Sequence, residues 1–126
     1  MKETIARITS TELGESDGPV FSAWVNVIYT ATSGQGLGGY CFTDKPIEEP
    51  YRHRPGTAYG MEWIVRFLDA VGVSKWEDLP GTFLIVLRDD NDRVLGVKQI
   101  PTEGDGLFLF DDLPVNFGEP KEKIDA

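Results

Sequence analysis

Residues Val20 to Thr30 read VFSAWVNVIYT. Phe21, Ala23, Val25, Val27 and Tyr29 fall on every second position, the period of a strand with one face on a core. Ser22, Trp24, Asn26 and Ile28 occupy the other face, a mixture that suits a ligand or another subunit. Upstream, Lys2 to Leu13 alternates too, with Ile5, Arg7, Thr9 and Thr11 on one face and Thr4, Ala6, Ile8 and Ser10 on the other. The intervening GESDGP, Gly14 to Pro19, is a turn-forming cluster, so the two segments predict an antiparallel hairpin.

Downstream, Gly34, Gln35, Gly36, Leu37, Gly38 and Gly39 predict a glycine-rich turn or bulge, followed by a short strand from Tyr40 to Thr43. Pro46, Pro50 and Pro55 deny regular structure to Asp44–Gly56. Thr57 as N-cap and Gly72 as C-terminal stop then bracket a helix. Its expected core stripe is Met61, Ile64, Leu68 and Val71 with Phe67 beside it, while Tyr59, Trp63, Arg66 and Ala70 form a second line too aromatic for a wet face. Ser74–Leu79 predicts a single capped turn with Trp76 at the core edge. Thr82–Arg88 is apolar on both faces, as a central strand is, and DDND at Asp89–Asp92 turns it into Arg93–Ile100. Leu107–Phe110 adds a last short strand. The expected fold class is therefore α+β: an antiparallel β-sheet or partly open barrel of about five to six strands with one main α-helix. It forms one domain over residues 1–118, with 119–126 a flexible acidic tail.

The 126 residues include 12 basic and 21 acidic side chains, a formal charge of −9 that repels long nucleic acids. No apolar run approaches the roughly 20 residues that span a bilayer, so no membrane partner is expected. Cys41 is the single cysteine and cannot close an internal disulfide, and no leader-like pattern opens the chain. The expected compartment is a reducing cytoplasm.

Catalytic constellations are sparse. His53 is the one histidine, which excludes a histidine pair or triad, and one cysteine excludes cysteine-rich zinc patterns. Cys41 reads as a small buried strand residue. Asp89, Asp90 and Asp92 could hold Mg²⁺ or Ca²⁺, but an exposed hairpin turn explains them as well. No cofactor is expected, and the chain reads as a binder rather than an enzyme.

The glycine segment lacks the strand before and helix after it that phosphate-binding loops require. Backbone contact to a ligand at Gln35 and Gly36 remains its alternative to a plain turn. The strongest constellation is Arg52, His53 and Arg54 just before the helix start at Thr57. Arginines supply bidentate donors and a helix start supplies backbone N–H groups, a combination suited to an anion. A solvated loop that balances the excess acid is the other reading. Tyr51, Tyr59, Trp24 and Trp63 are aromatics that could stack on a nucleobase.

GQGLGGY at Gly34–Tyr40, RPGTAYGMEWI at Arg54–Ile64 and VGVSKWEDLPG at Val71–Gly81 resemble a family of small phage and prophage proteins. The resemblance covers the chain from the first strand to about Ile100 and extends to the Thoeris anti-defence proteins that sequester cyclic ADP-ribose-type signals. It implies a homo-oligomer in the host cytoplasm with nucleotide pockets shared between subunits. Trp24, Arg54, Arg88 and Asn91 are the positions it points to. The last quarter departs from the pattern, with no arginine after Arg93 and with Asp111 and Asp112 unfavourable to phosphate. Without that resemblance, the competing expectation is a protein-interaction module using Trp63, Tyr59, the glycine segment and the acidic tail.

Overall fold

The computed structural model describes residues 1–17, 20–44 and 54–119. Six strands form one antiparallel sheet: β1 Lys2–Asp17, β2 Val20–Thr30, β3 Ser33–Gly38, β4 Phe83–Arg88, β5 Val94–Lys98 and β6 Leu107–Leu109. Their spatial order is β3-β2-β1-β4-β5-β6. Among the described residues one α-helix, α1 Ala58–Val71, completes the α+β architecture expected from the alternation and the caps.

The β1–β2 hairpin is in place, but β1 does not alternate strictly. Its register with β2 passes from Ile8↔Val27 to Ser10↔Asn26, leaving Thr9 as an extra residue. The Thr9 hydroxyl donates to the Asn26 carbonyl at 3.2 Å and the Asn26 amide donates to Ser10 Oγ at 3.1 Å, which fastens the bulge. The residues on the helix-side face of β1 therefore change from Ala6 and Ile8 to Thr11 and Leu13, since the latter pair with buried Val25 and Ala23, although Leu13 itself is 46% exposed. The strand also continues through the expected turn to Asp17.

A second correction concerns the glycines. Ser33–Gly38 is itself the edge strand, and Tyr40–Thr43 forms no strand beyond one bridge from Thr43 to Gly56. The reason lies in Trp24, paired with Gly38 across the strand. A Cβ on Gly36 would lie 3.0 Å from its indole and one on Gly39 only 2.3 Å, so the glycines form a flat bed for that ring. Cys41, expected in a buried strand, is exposed and donates its thiol to the Thr43 carbonyl at 3.1 Å.

β4 is the central strand its composition demands. Leu84 and Val86 face the helix side, Ile85 and Leu87 the other, and all four are buried. On the far side Lys98 Nζ on β5 meets Glu3 Oε2 on β1 at 2.9 Å, a bridge across β4 beside Ile85 and Leu87. β5 is shorter than expected, and Phe110 leaves the sheet in a 3₁₀ turn, Phe110–Asp112.

Thr57 caps α1 as its sequence predicts, its Oγ1 accepting from the Gly60 N–H at 3.1 Å, and Gly72 closes it at φ 79°. The buried face is rotated from the expected one. Tyr59, Trp63, Phe67 and Ala70 point inward with Val71, while Met61 is 64% exposed. Aromatics bury more area than the aliphatic line, so they take the core. Trp63 is fully buried, 5.2 Å from Phe67, 5.7 Å from Phe42 and 5.9 Å from Phe108 between ring centroids. A Cβ on Gly38 would approach the same indole to 3.3 Å. In a flat sheet the two edge strands, β3 and β6, would stand about 24 Å apart. Their convergence on one indole means that the sheet curls around the helix.

Candidate functional site

The curl leaves a cleft beside the first turn of α1. Its volume is about 290 Å³, and Phe21, Phe42, Met61 and Ile64 supply apolar walls while Thr43, Arg54, Gly56, Thr57 and Gly60 complete the lining. Several local features fix this shape. Phe42 is held by its N–H, which donates to the Phe21 carbonyl at 2.8 Å. The Phe42 carbonyl accepts from both the N–H and the hydroxyl of Thr57, at 2.9 and 3.0 Å. Gly60 lets the first turn of α1 press onto the Phe42 ring, because a Cβ there would sit 2.6 Å from the Phe42 Cβ. The helix start and the aromatic wall are thus one unit.

Arg54 brings positive charge to this cleft. Its Nε donates to Thr43 Oγ1 at 3.3 Å, which anchors the guanidinium by one corner. A guanidinium held this way can offer its Nη groups to a carboxylate or phosphate in a bidentate pair. Arg52, His53 and Tyr51 lie outside the described residues, so among the three basic positions only Arg54 can be placed.

Of the remaining sequence candidates, Thr57 belongs to this cleft and Tyr59 does not line it. Tyr59 is a core residue packed edge-on against Phe42 and Tyr40, which corrects its reading as a stacking platform. Burial, then Tyr40 and Asp111, push its hydroxyl above the ordinary phenol range, and burial does the same for Tyr40, with Asp111 adding to it and Arg93 opposing it. Both remain neutral at physiological pH. Trp63, the other aromatic singled out, is sealed in the core.

Trp24, Gln35, Gly36, Arg88 and Asn91 are not gathered around Arg54. Trp24 lies on the outward face of β2 over Gly36 and Gly39. Arg88 pairs in register with Lys2, at the end of β1 opposite the cleft, since the cleft residue Phe21 lies next to the Ser22↔Gly14 pair. There Arg88 makes a brace across four strands. Its Nη2 donates to Thr4 Oγ1 at 2.9 Å, its guanidinium lies 4.6 Å over the Tyr29 ring, and the Tyr29 hydroxyl donates to Gln35 Oε1 at 2.7 Å. Arg88 and Gln35 are thereby occupied in holding β4, β1, β2 and β3 together. Asn91 is exposed in the β4–β5 turn, where its N–H donates to Asp89 Oδ1 at 2.8 Å. Asp89 also accepts from the Arg93 N–H at 3.0 Å, the behaviour of a turn aspartate. Asp92 meets Lys2 and Arg88, and the hydrogen bond from Lys2 is the main reason its carboxyl sits below the usual range.

Sequence reasoning missed Phe21, Phe42, Thr43, Met61 and Ile64 as cleft residues. Phe21 was assigned to a core face and Met61 and Ile64 to a buried stripe, so their apolar character pointed inward. Arg54 in the basic run and Thr57 at the helix start carried a local signal. Comparison of the chain with protein-family models, curated proteins and solved structures finds no match.

Proposed function

We propose that the chain binds a small nucleotide-type anion in the cleft at the start of α1 and acts by holding it. The observation that carries this reading is the pairing of apolar walls with an anchored guanidinium in one concave site. Small-molecule sites have that composition, largely apolar with a few placed polar groups. A planar base can lie against the exposed Phe21 and Met61, over the edge of the buried Phe42, with a phosphate against Arg54. The resemblance in the sequence supports a cyclic ADP-ribose-type signal as ligand and a phage protein that removes this signal from host anti-phage defence. Sequestration needs affinity and closure of the site and no chemical step.

Calorimetry of the full chain with cyclic ADP-ribose isomers tests the reading. Tight binding is expected, with the ligand recovered unchanged after the protein is denatured. Arg54→Ala should weaken binding about 10- to 100-fold, the worth of one or two charge-assisted hydrogen bonds, with an unaltered circular dichroism spectrum. Absence of heat with every nucleotide tried would sink the proposal, and recovery of a hydrolysed product would make the protein an enzyme.

A second reading, association with another protein surface, has its own observation. On the sheet face away from the helix, Ile5, Phe83 and Leu107 are exposed large apolar side chains. We assign to this face the subunit contact of the proposed homo-oligomer.

A further inference from the structure

We infer that the free edge of β3 is a docking site for an extended segment of another protein, which pairs with it as a further strand of the sheet. This surface is separate from the cleft and does not depend on the ligand held there. β3 stands first in the sheet, with β2 on one side and, among the described residues, no strand on the other. Its ladder runs to β2 alone, and the Gly39 N–H that follows donates there too, to the Ala23 carbonyl at 2.8 Å. The N–H and C=O of alternate residues in Ser33–Gly38 therefore point away from the sheet with no main-chain partner among the described residues.

The two edges of the sheet are built differently. β6, the opposite edge, has three residues, with exposed Asp105 before it and exposed Asp111 and Asp112 in the 3₁₀ turn after it. The end of α1 also closes on its start, since a Cβ on Gly106 would lie 2.5 Å from the Ala70 carbonyl oxygen. Shortness, charge and cover are the means by which an edge is kept from pairing. β3 instead runs six residues without a charge or a proline. The bulge in its pairing, at Tyr29, lies on β2 and leaves β3 itself regular.

The side chains decide what can dock. Leu37 is buried and Gln35 accepts from the Tyr29 hydroxyl at 2.7 Å, so both are committed to the helix side. On the outer side Gly34 and Gly36 are exposed and leave the edge bare. A second copy of β3 would set glycine beside glycine there and supply none of the cross-strand side-chain contacts that stabilise a sheet. A segment with bulky side chains on that side can lean over the glycines toward Ile28, whose Cγ2 lies 3.3 Å from where a Cβ on Gly34 would be. The formal charge of −9 repels an acidic segment. The partner is thus a neutral or basic extended segment with apolar or aromatic residues at alternate positions, held by main-chain hydrogen bonds.

Blocked nonapeptides that alternate threonine with valine, phenylalanine or tryptophan, with lysine at both ends, are the probes. Titrated into the full chain, at least one should bind saturably, shift the amide resonances of Ser33–Gly38 and slow hydrogen exchange at the outward N–H groups of β3. N-methylation of every second amide of that peptide should weaken binding about tenfold or more in one phase and leave it unchanged in the other, because one edge of the peptide pairs and the other does not. Binding driven by side chains would treat the two phases alike and overturn the inference. It also falls if no peptide of the panel binds, if the shifts centre on Phe42 and Arg54 or on Phe83, or if the outward amides of β3 are already protected in the chain alone.

Discussion

Gly60 costs α1 about 1 kcal/mol of helix propensity relative to alanine, and the contact it permits explains its presence. With the Phe42 Cβ and Cγ 2.6 and 2.7 Å from where a Cβ would be, alanine forces the ring or the helix to move. Gly60→Ala is expected to destabilise the fold by about 1–3 kcal/mol, as overpacking does, despite the gain in propensity. Thermal and denaturant melts measure it; a neutral or stabilised variant would show that Phe42 can yield. Such contacts were not legible in the sequence, because a glycine inside a helical pattern announces only a penalty. Thr57 and Gly72 were legible, since a hydroxyl before and a glycine after a periodic run have local mechanisms that do not depend on the rest of the chain. Cys41 was misread for the opposite reason: the strand expected around it required pairing that Ser33–Gly38 takes instead.

At the scale of elements, the hairpins and the central strand followed from period and composition. The phase of α1 did not. Both lines on the helix are apolar apart from Arg66, and the choice between them is made by the ring of aromatic partners contributed by Phe42, Phe108 and Phe110, distant in sequence. Once Trp63 takes the centre, Met61 is carried out to the mouth of the cleft. The sheet's outer face shows the same logic. β1 and β4 set Arg7 beside Phe83 and Ile5 beside Ile85, and β5 and β6 set Lys98 beside Leu107, so apolar and charged side chains share a surface. Phe83 is 52% exposed. If this face joins subunits, native mass spectrometry should show an oligomer for the wild-type chain and a monomer for Phe83→Asp. A wild-type monomer, or an oligomer indifferent to the substitution, rejects that assignment.

For the molecule as a whole, the curl of the sheet around Trp63 separates two polar assemblies. The Arg88–Tyr29–Gln35 brace ties four strands at one end of β1, and the cleft opens at the other. The resemblance grouped Arg54, Arg88 and Asn91, and only the register reveals the length of β1 between them. The acidic last quarter, a departure from the resemblance, comes back to the helix start, where Phe117, Gly118 and Glu119 line a second cleft of about 320 Å³. The central claim is that small nucleotides bind at the start of α1. Amide and methyl NMR spectra of the full chain titrated with ADP-ribose locate the site directly. The account predicts saturable shifts concentrated at Phe21, Phe42, Thr43, Arg54, Gly56, Thr57, Met61 and Ile64. Shifts confined to Thr4, Tyr29, Gln35 and Arg88, or none at saturating ligand, would contradict it.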